Sequence, residues 1–156
     1  MFDCHMHTKF STDSLMDPSI ACKTAIGLGL DGIVFTDHLD YDYPEEEFVL
    51  NIDDYFSEME AVKSLYSNKL KILHGVEVGI QPHVLEDSLK VVTSYPFDYV
   101  LAAVHIIDGF DPYMREYYKG KTKHEAYELY LQKIYTMIKT FKSFDMVAHF
   151  EYIIRY

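Results

Sequence analysis

Met1-Phe2-Asp3-Cys4-His5-Met6-His7-Thr8-Lys9-Phe10-Ser11-Thr12-Asp13 opens the chain. A short apolar strand signal passes straight into His5-x-His7, and that passage decides how everything downstream is read. Successive side chains on a strand point to opposite faces, so residues two apart share one. His5 and His7 are therefore expected side by side, with Cys4 and Met6 turned the other way. Two neutral imidazoles on one rigid face suit a divalent ion of the Zn, Mn, Fe or Ni type. A structural His-x-His looks the same in isolation. The pair gains meaning only if later strands deliver further ligands to the same place.

Moving outward, Asp17-Pro18 is a helix start, with Asp as N-cap and Pro at the first helical position, and Gly29 is its stop. Asp31 to Thr36 is a β-branched and aromatic run, read as a buried strand that finishes in Thr36-Asp37-His38. An acidic loop from Asp40 to Glu47 carries Tyr41, Tyr43 and Phe48 and reads as a lid or rim. A helix is predicted over Asp53–Ser67, with Phe56, Met59, Val62, Leu65 and Tyr66 on one stripe. Leu70 to Val78 is a third strand bearing Glu77, Val84 to Thr93 a short helix, and Phe97 to Val104 a fourth strand ending in His105. Ile106 to Gly120 is a loop. Thr122 and Glu125 match a capping box that opens a helix to about Lys142, whose Tyr127, Tyr130, Ile134 and Met137 are packing residues. Phe144 to Ala148 is a fifth strand, ending in His149.

Strands that alternate with helices argue for a parallel sheet wrapped by helices. His5/His7, His38, Glu77, His105 and His149 fall at the C-terminal ends of successive strands. In a barrel of parallel strands those ends converge on one face, where catalytic residues collect. Other histidines read as structural: His74, three residues before Glu77, points to the opposite face, and His124 lies in the first turn of a helix. His83, in the loop after the third strand, is a candidate for facing substrate. Asp37 either orients a ligand imidazole or caps the following turn.

The 156 residues are 49% hydrophobic and 15% aromatic, enough for one globular domain with a sizeable core. A net charge of -11 disfavours nucleic acid or an anionic membrane as the main partner. Two or three bound divalent ions would offset roughly four to six of those charges locally, so a phosphate ester can still be accommodated. The two cysteines, Cys4 and Cys22, form no framework and read as reduced thiols of a cytoplasmic protein, with Cys4 packed in the first strand. No secretory signal or membrane span is predicted.

Four imidazole positions and a bridging carboxylate exceed the needs of one tetrahedral zinc. A cluster of two or three metals suits phosphate ester hydrolysis, with an ion-activated water as nucleophile and the remaining ions clamping the phosphoryl oxygens.

His5-Met6-His7, Thr36-Asp37-His38, Gly75-Val76-Glu77, Ala103-Val104-His105 and Ala148-His149 resemble the successive motifs of the PHP (polymerase and histidinol phosphatase) superfamily. Gly75 to His83 and Glu151 to Tyr156 look most like its histidinol-phosphate phosphatase branch. The resemblance implies a distorted (β/α)7 TIM-like barrel with a trinuclear site built from Zn, Mn, Fe, Co or Ni. It assigns His5, His7 and Glu77 to a first metal, Glu77, His105 and His149 to a second, and Asp13 and His38 to a third. It also gives Arg155 the substrate phosphate. The implied activity is hydrolysis of L-histidinol phosphate in histidine biosynthesis. Alternatives are a PHP phosphatase or nuclease with another substrate (phosphotyrosine, a nucleotide or a sugar phosphate), and a truncated, inactive metal-binding domain.

The family's late Asp-x-His motif is absent before Tyr156, and such barrels run to about 250 residues. Residues 1–156 are thus expected to be the N-terminal part of the domain, carrying about five of its strands. An open barrel leaves a strand edge and apolar surface, which predicts self-association.

Overall fold

The computed structural model describes residues 1–44 and 48–155, Arg155 by its backbone alone. In chain order these form β1 (Phe2–Met6), α1 (Pro18–Gly27), β2 (Gly32–Phe35), β3 (His38–Leu39), α2 (Ile52–Tyr66), β4 (Lys71–Gly79), α3 (Leu85–Ser94), β5 (Tyr99–Ala103), a 3₁₀ turn (Arg115–Tyr118), α4 (Lys123–Thr140), β6 (Met146–Val147) and a second 3₁₀ turn (Tyr152–Arg155). Every named strand pairing is parallel, in the order β1-β2-β4-β5-β6, with β3 set beside β4 off that path. The sheet curls into a half-barrel whose helices cover its outer face. β2 is buried along its whole length and β4 along most of it, as expected for a parallel sheet packed on both sides.

Local signals set the helix starts. The Asp17 carboxylate accepts from the Ser19 and Ile20 backbone N–H groups, and Thr122 and Glu125 cap α4 reciprocally. α2 begins earlier than its sequence suggests, because the Asn51 side chain accepts from the Asp54 N–H and caps it. Met59, Val62 and Tyr66 are buried as the spacing predicts and Phe56 packs partly against the core; Tyr55 joins them, whereas Leu65 is 70% exposed. The Tyr55 hydroxyl donates to the carbonyls of Phe35 and Gly75 at 3.1 and 2.8 Å, pinning α2 against β2 and β4. On α4, Tyr130, Ile134 and Met137 are buried as the spacing predicts, and Tyr127 packs partly against the core. Cys4 is only half-buried on the edge strand, while Cys22 is buried and its thiol is pushed up to about 11 by desolvation.

One strand boundary differs from expectation. The second strand does not run on to His38; it ends at Phe35, and His38 opens the separate strand β3. Between them lies Asp37, whose buried carboxylate accepts from the Thr8 N–H at 2.6 Å and the Ser11 hydroxyl at 2.9 Å. Across this break the Thr36 N–H still donates to the Met6 carbonyl at 2.8 Å and the Asp37 carbonyl accepts from the Glu77 N–H at 3.0 Å, and β3 then pairs with β4 in register with Glu77. No helix among the described residues is long and apolar enough to cross a membrane.

Candidate metal centre

The cross-strand register places His38 directly beside Glu77. His5 lies in β1 and His7 just beyond it, while His105 and His149 each lie two residues past the ends of β5 and β6. All five imidazoles reach the Glu77 carboxylate, which is completely buried. His5 Nε2, His7 Nε2 and His38 Nδ1 lie 3.3, 3.0 and 3.5 Å from Oε2, and His105 Nε2 and His149 Nε2 lie 3.2 and 2.7 Å from Oε1. His5 and His7 approach each other at 3.1 Å between their Nε2 atoms, as the two-residue spacing predicts. Asp13, on the loop after β1, reaches His7 Nδ1 at 3.1 Å and His38 Nε2 at 3.6 Å. His149 holds a left-handed backbone (φ 57°), uncommon for a residue with a side chain. The Tyr130 hydroxyl donates to its carbonyl at 2.7 Å and fixes that turn.

These are strongly coupled charges. Burial works against ionisation of Glu77, yet His105, His149 and His5 hold its carboxyl well below the usual carboxylate range. Burial likewise lowers His7, but Asp13 and Glu77 outweigh it and hold the imidazole up at about 9. His105 is raised well above the ordinary histidine value by Asp40 and Glu77, again against desolvation.

The donor set fits divalent ions. Two ligands on one tetrahedral ion at about 2.1 Å lie about 3.4 Å apart, and the separations above bracket that figure. Among the described residues, three groups have ligand atoms within 4.8 Å of one another: His5, Glu77 and His149; His7, His38 and Glu77; and His38, Asp40 and His105. They cut across the partition that the family motifs imply. Glu77 and His38 are each shared between two groups.

Asp40 was not singled out by the sequence. It is 2% exposed and accepts from His38 Nδ1 at 3.0 Å and His105 Nδ1 at 2.7 Å, fixing two rings at once. A usable signal existed: His38-x-Asp40 repeats the two-residue spacing of His5-x-His7. Asp37 does not orient an imidazole, because Thr8 and Ser11 occupy its carboxylate; the Ser11 hydroxyl in turn accepts the His38 N–H at 2.9 Å. Burial raises the Asp37 carboxyl.

A cavity of about 340 Å³ opens in front of the cluster, lined by His7, Asp13, His38, Asp40, His105 and His149 on one side and by Tyr43, Phe48, Asp111, Tyr113, Met114 and Tyr152 on the other. Tyr43 and Phe48 make the acidic loop a rim of the site; Glu45 to Glu47 lie outside the described residues. His83 does not line this cavity. It is exposed, pairs with Asp42 at 2.7 Å and borders a separate depression. The Arg155 side chain lies outside the described residues. His74 is buried on the opposite face against Phe56, and His124 is exposed.

A curled parallel sheet with a histidine–carboxylate cluster at its strand ends defines a (β/α)-barrel protein with a candidate polynuclear metal centre. The PHP domain model matches residues 3–156, and the chain belongs to that family. It is 38% identical over its full length to a Clostridium acetobutylicum protein named "probable histidinol-phosphatase", covering 59% of it, and 35% identical over 99% of its length to the histidinol-phosphatase of Lactococcus lactis, covering 58%. The crystal structure of histidinol phosphate phosphatase from Lactococcus lactis, complexed with zinc, L-histidinol and phosphate, superposes with a TM-score of 0.96 at 35% identity, covering 99% of this chain and 59% of that one. The chain therefore spans less than two thirds of the length of these relatives.

Proposed function

We propose that the protein is a metal-dependent phosphomonoesterase acting on L-histidinol phosphate in histidine biosynthesis. The single observation that carries this reading is the convergence of five imidazoles on the buried Glu77 carboxylate at the mouth of a cavity. His5, His7, Asp13, His38, Glu77, His105 and His149 would hold two or three divalent ions. When bound, such ions supply charge neutralisation of phosphoryl oxygens and lower the pKa of water. Glu77 places its two oxygens on different sets of imidazoles, so it can serve more than one ion. Asp40 sets the orientation of the His38 and His105 rings, and Phe48 and Met114 shed water from the cavity wall.

Arg155, in the second 3₁₀ turn beyond β6, is assigned to the substrate phosphate by its match to the family motif. The similarity to a zinc-, L-histidinol- and phosphate-bound structure supports zinc and this substrate. Two free cysteines suit a cytoplasmic setting.

Steady-state rates on L-histidinol phosphate, set against a panel of other phosphomonoesters, test the reading. A preference for L-histidinol phosphate is expected, with zinc content by elemental analysis above one ion per chain. Equal rates across the panel would remove the substrate assignment.

A further inference from the structure

The candidate ligands His7, Asp13 and His38 come from two separate segments, and one buried carboxylate ties those segments together. Asp37 is fully buried and stands between the end of β2 and the start of β3. Its Oδ1 accepts from the Thr8 N–H at 2.6 Å and the Ser11 hydroxyl at 2.9 Å, and its Oδ2 accepts from the Thr8 hydroxyl at 3.0 Å. Thr8 follows His7 directly, and Ser11 lies two residues before Asp13. Both are buried. The Ser11 hydroxyl also accepts the His38 N–H at 2.9 Å, so it bonds the carboxylate and the next ligand at once. On the sheet side, the Asp37 carbonyl accepts from the Glu77 N–H at 3.0 Å. Asp37 therefore sits at the joint of the backbone segments that carry His7, Asp13, His38 and Glu77.

The loop after β1 needs such an anchor. Asp13 lies outside any strand and its side chain is 45% exposed, so packing alone does not hold it. Within the loop the Ser11 N–H donates to the Thr8 carbonyl, and the Ser14 hydroxyl to the His7 carbonyl. Those bonds shape the loop; the Asp37 bonds dock it on the sheet. The side chains brought together are close. Asp13 Oδ2 lies 3.1 Å from His7 Nδ1 and 3.6 Å from His38 Nε2, and the His7 and His38 ring centroids are 4.3 Å apart. A buried carboxylate is costly unless hydrogen-bonded, and a well-satisfied buried network is rigid. His105 and His149 approach from β5 and β6 and are set by Asp40 and Tyr130 instead.

We propose that Asp37 is a positioning residue for the His7–Asp13–His38 end of the metal centre. Through Thr8 and Ser11 it fixes where the loop meets β3, and so sets the ligand geometry of that end without touching an ion. This rests on the metal-dependent reading of the site and adds a division within it: one end is placed by Asp37, the other by Asp40 and Tyr130.

The test titrates the chain with zinc against a chromophoric chelator, as wild type, Asp37→Asn, Ser11→Ala, Asp13→Asn and the Asp37→Asn/Asp13→Asn pair. Asp37→Asn and Ser11→Ala should each weaken one zinc site by about 10- to 100-fold and leave the remaining zinc within about twofold. Ser11→Ala removes a single hydroxyl, so it decides the matter even where Asp37→Asn does not fold. The losses in Asp37→Asn and Asp13→Asn should be non-additive, because both act on the same site. In the metal-free chain, amide exchange should quicken over residues 8–13 and at His38 while α4 keeps its wild-type protection. Equal losses at every site, a lower melting temperature with wild-type zinc affinities, or additive losses in the pair would each overturn the proposal. Absence of zinc binding by the wild type would overturn the metal-dependent reading and this proposal with it. Wild-type zinc binding in both Asp37→Asn and Ser11→Ala would overturn this proposal alone.

Discussion

Gly79 provides the space in which the Asp40 carboxylate sits: a Cβ at position 79 would fall 1.7 Å from Asp40 Oδ1. No side chain can occupy that volume without displacing the group that holds His38 and His105. Gly79→Ala is therefore expected to mimic Asp40→Asn. Both should lower zinc affinity by about 10- to 100-fold, the usual cost of losing a group that orients a ligand. Competition with a chromophoric chelator measures this. Wild-type zinc affinity in Gly79→Ala would refute the link.

Glu77→Gln removes the one carboxylate that all five imidazoles share. The loss should reach more than one ion per chain, since both carboxylate oxygens are engaged. Elemental analysis of the purified variant reads it directly. A wild-type metal content would show that Glu77 is only a structural counter-charge.

Zinc binding should release protons near neutral pH. In the metal-free chain His7 is raised from 6.5 to about 9 by Asp13 and Glu77, against desolvation, so it is protonated at pH 7 and must deprotonate to bind an ion. Calorimetric heats should then scale with the ionisation enthalpy of the buffer, and affinity should fall as pH falls. The same shift fixes a sign for stability. A raised folded-state value contributes stability that is fully present below pH 6.5 and disappears as pH rises through about 9. Melting of the EDTA-treated chain should thus show a stabilising contribution at pH 6.5 that is gone at pH 9.5, and zinc should reduce that dependence.

Tyr55→Phe deletes a buried hydroxyl that serves two carbonyls, one on β2 and one on β4. A destabilisation of about 1–3 kcal/mol is expected from the unpaired acceptors. Denaturant unfolding measures it, and zinc stoichiometry should stay at the wild-type value, because the contact lies on the face away from the cluster.

The edge strands β1 and β6 carry exposed Phe2 and Met146, with Phe150 exposed just beyond. Unpaired parallel edges with apolar flanks recruit other chains. Concentration-dependent self-association is expected in sedimentation. A stable monomer across the range would contradict it.

The primary sequence alone determined the alternation of strands and helices, the caps at Asp17 and Thr122, and the placing of His5, His7, Glu77, His105 and His149 at or just past the ends of strands; His38 instead opens β3. These features depend on neighbours two to four residues away, and strand alternation and helix capping act over that range. The tertiary structure alone decided that the second strand stops at Phe35, that Asp40 holds two rings, that Asp111 gathers three donors, and that His83 borders a separate depression. Each of those roles depends on partners brought near by crossover connections, as Asp40 meets His105 and Asp111 meets Tyr43 and Tyr152. A carboxylate's task is set by what it accepts from, and no local pattern records a partner dozens of residues away.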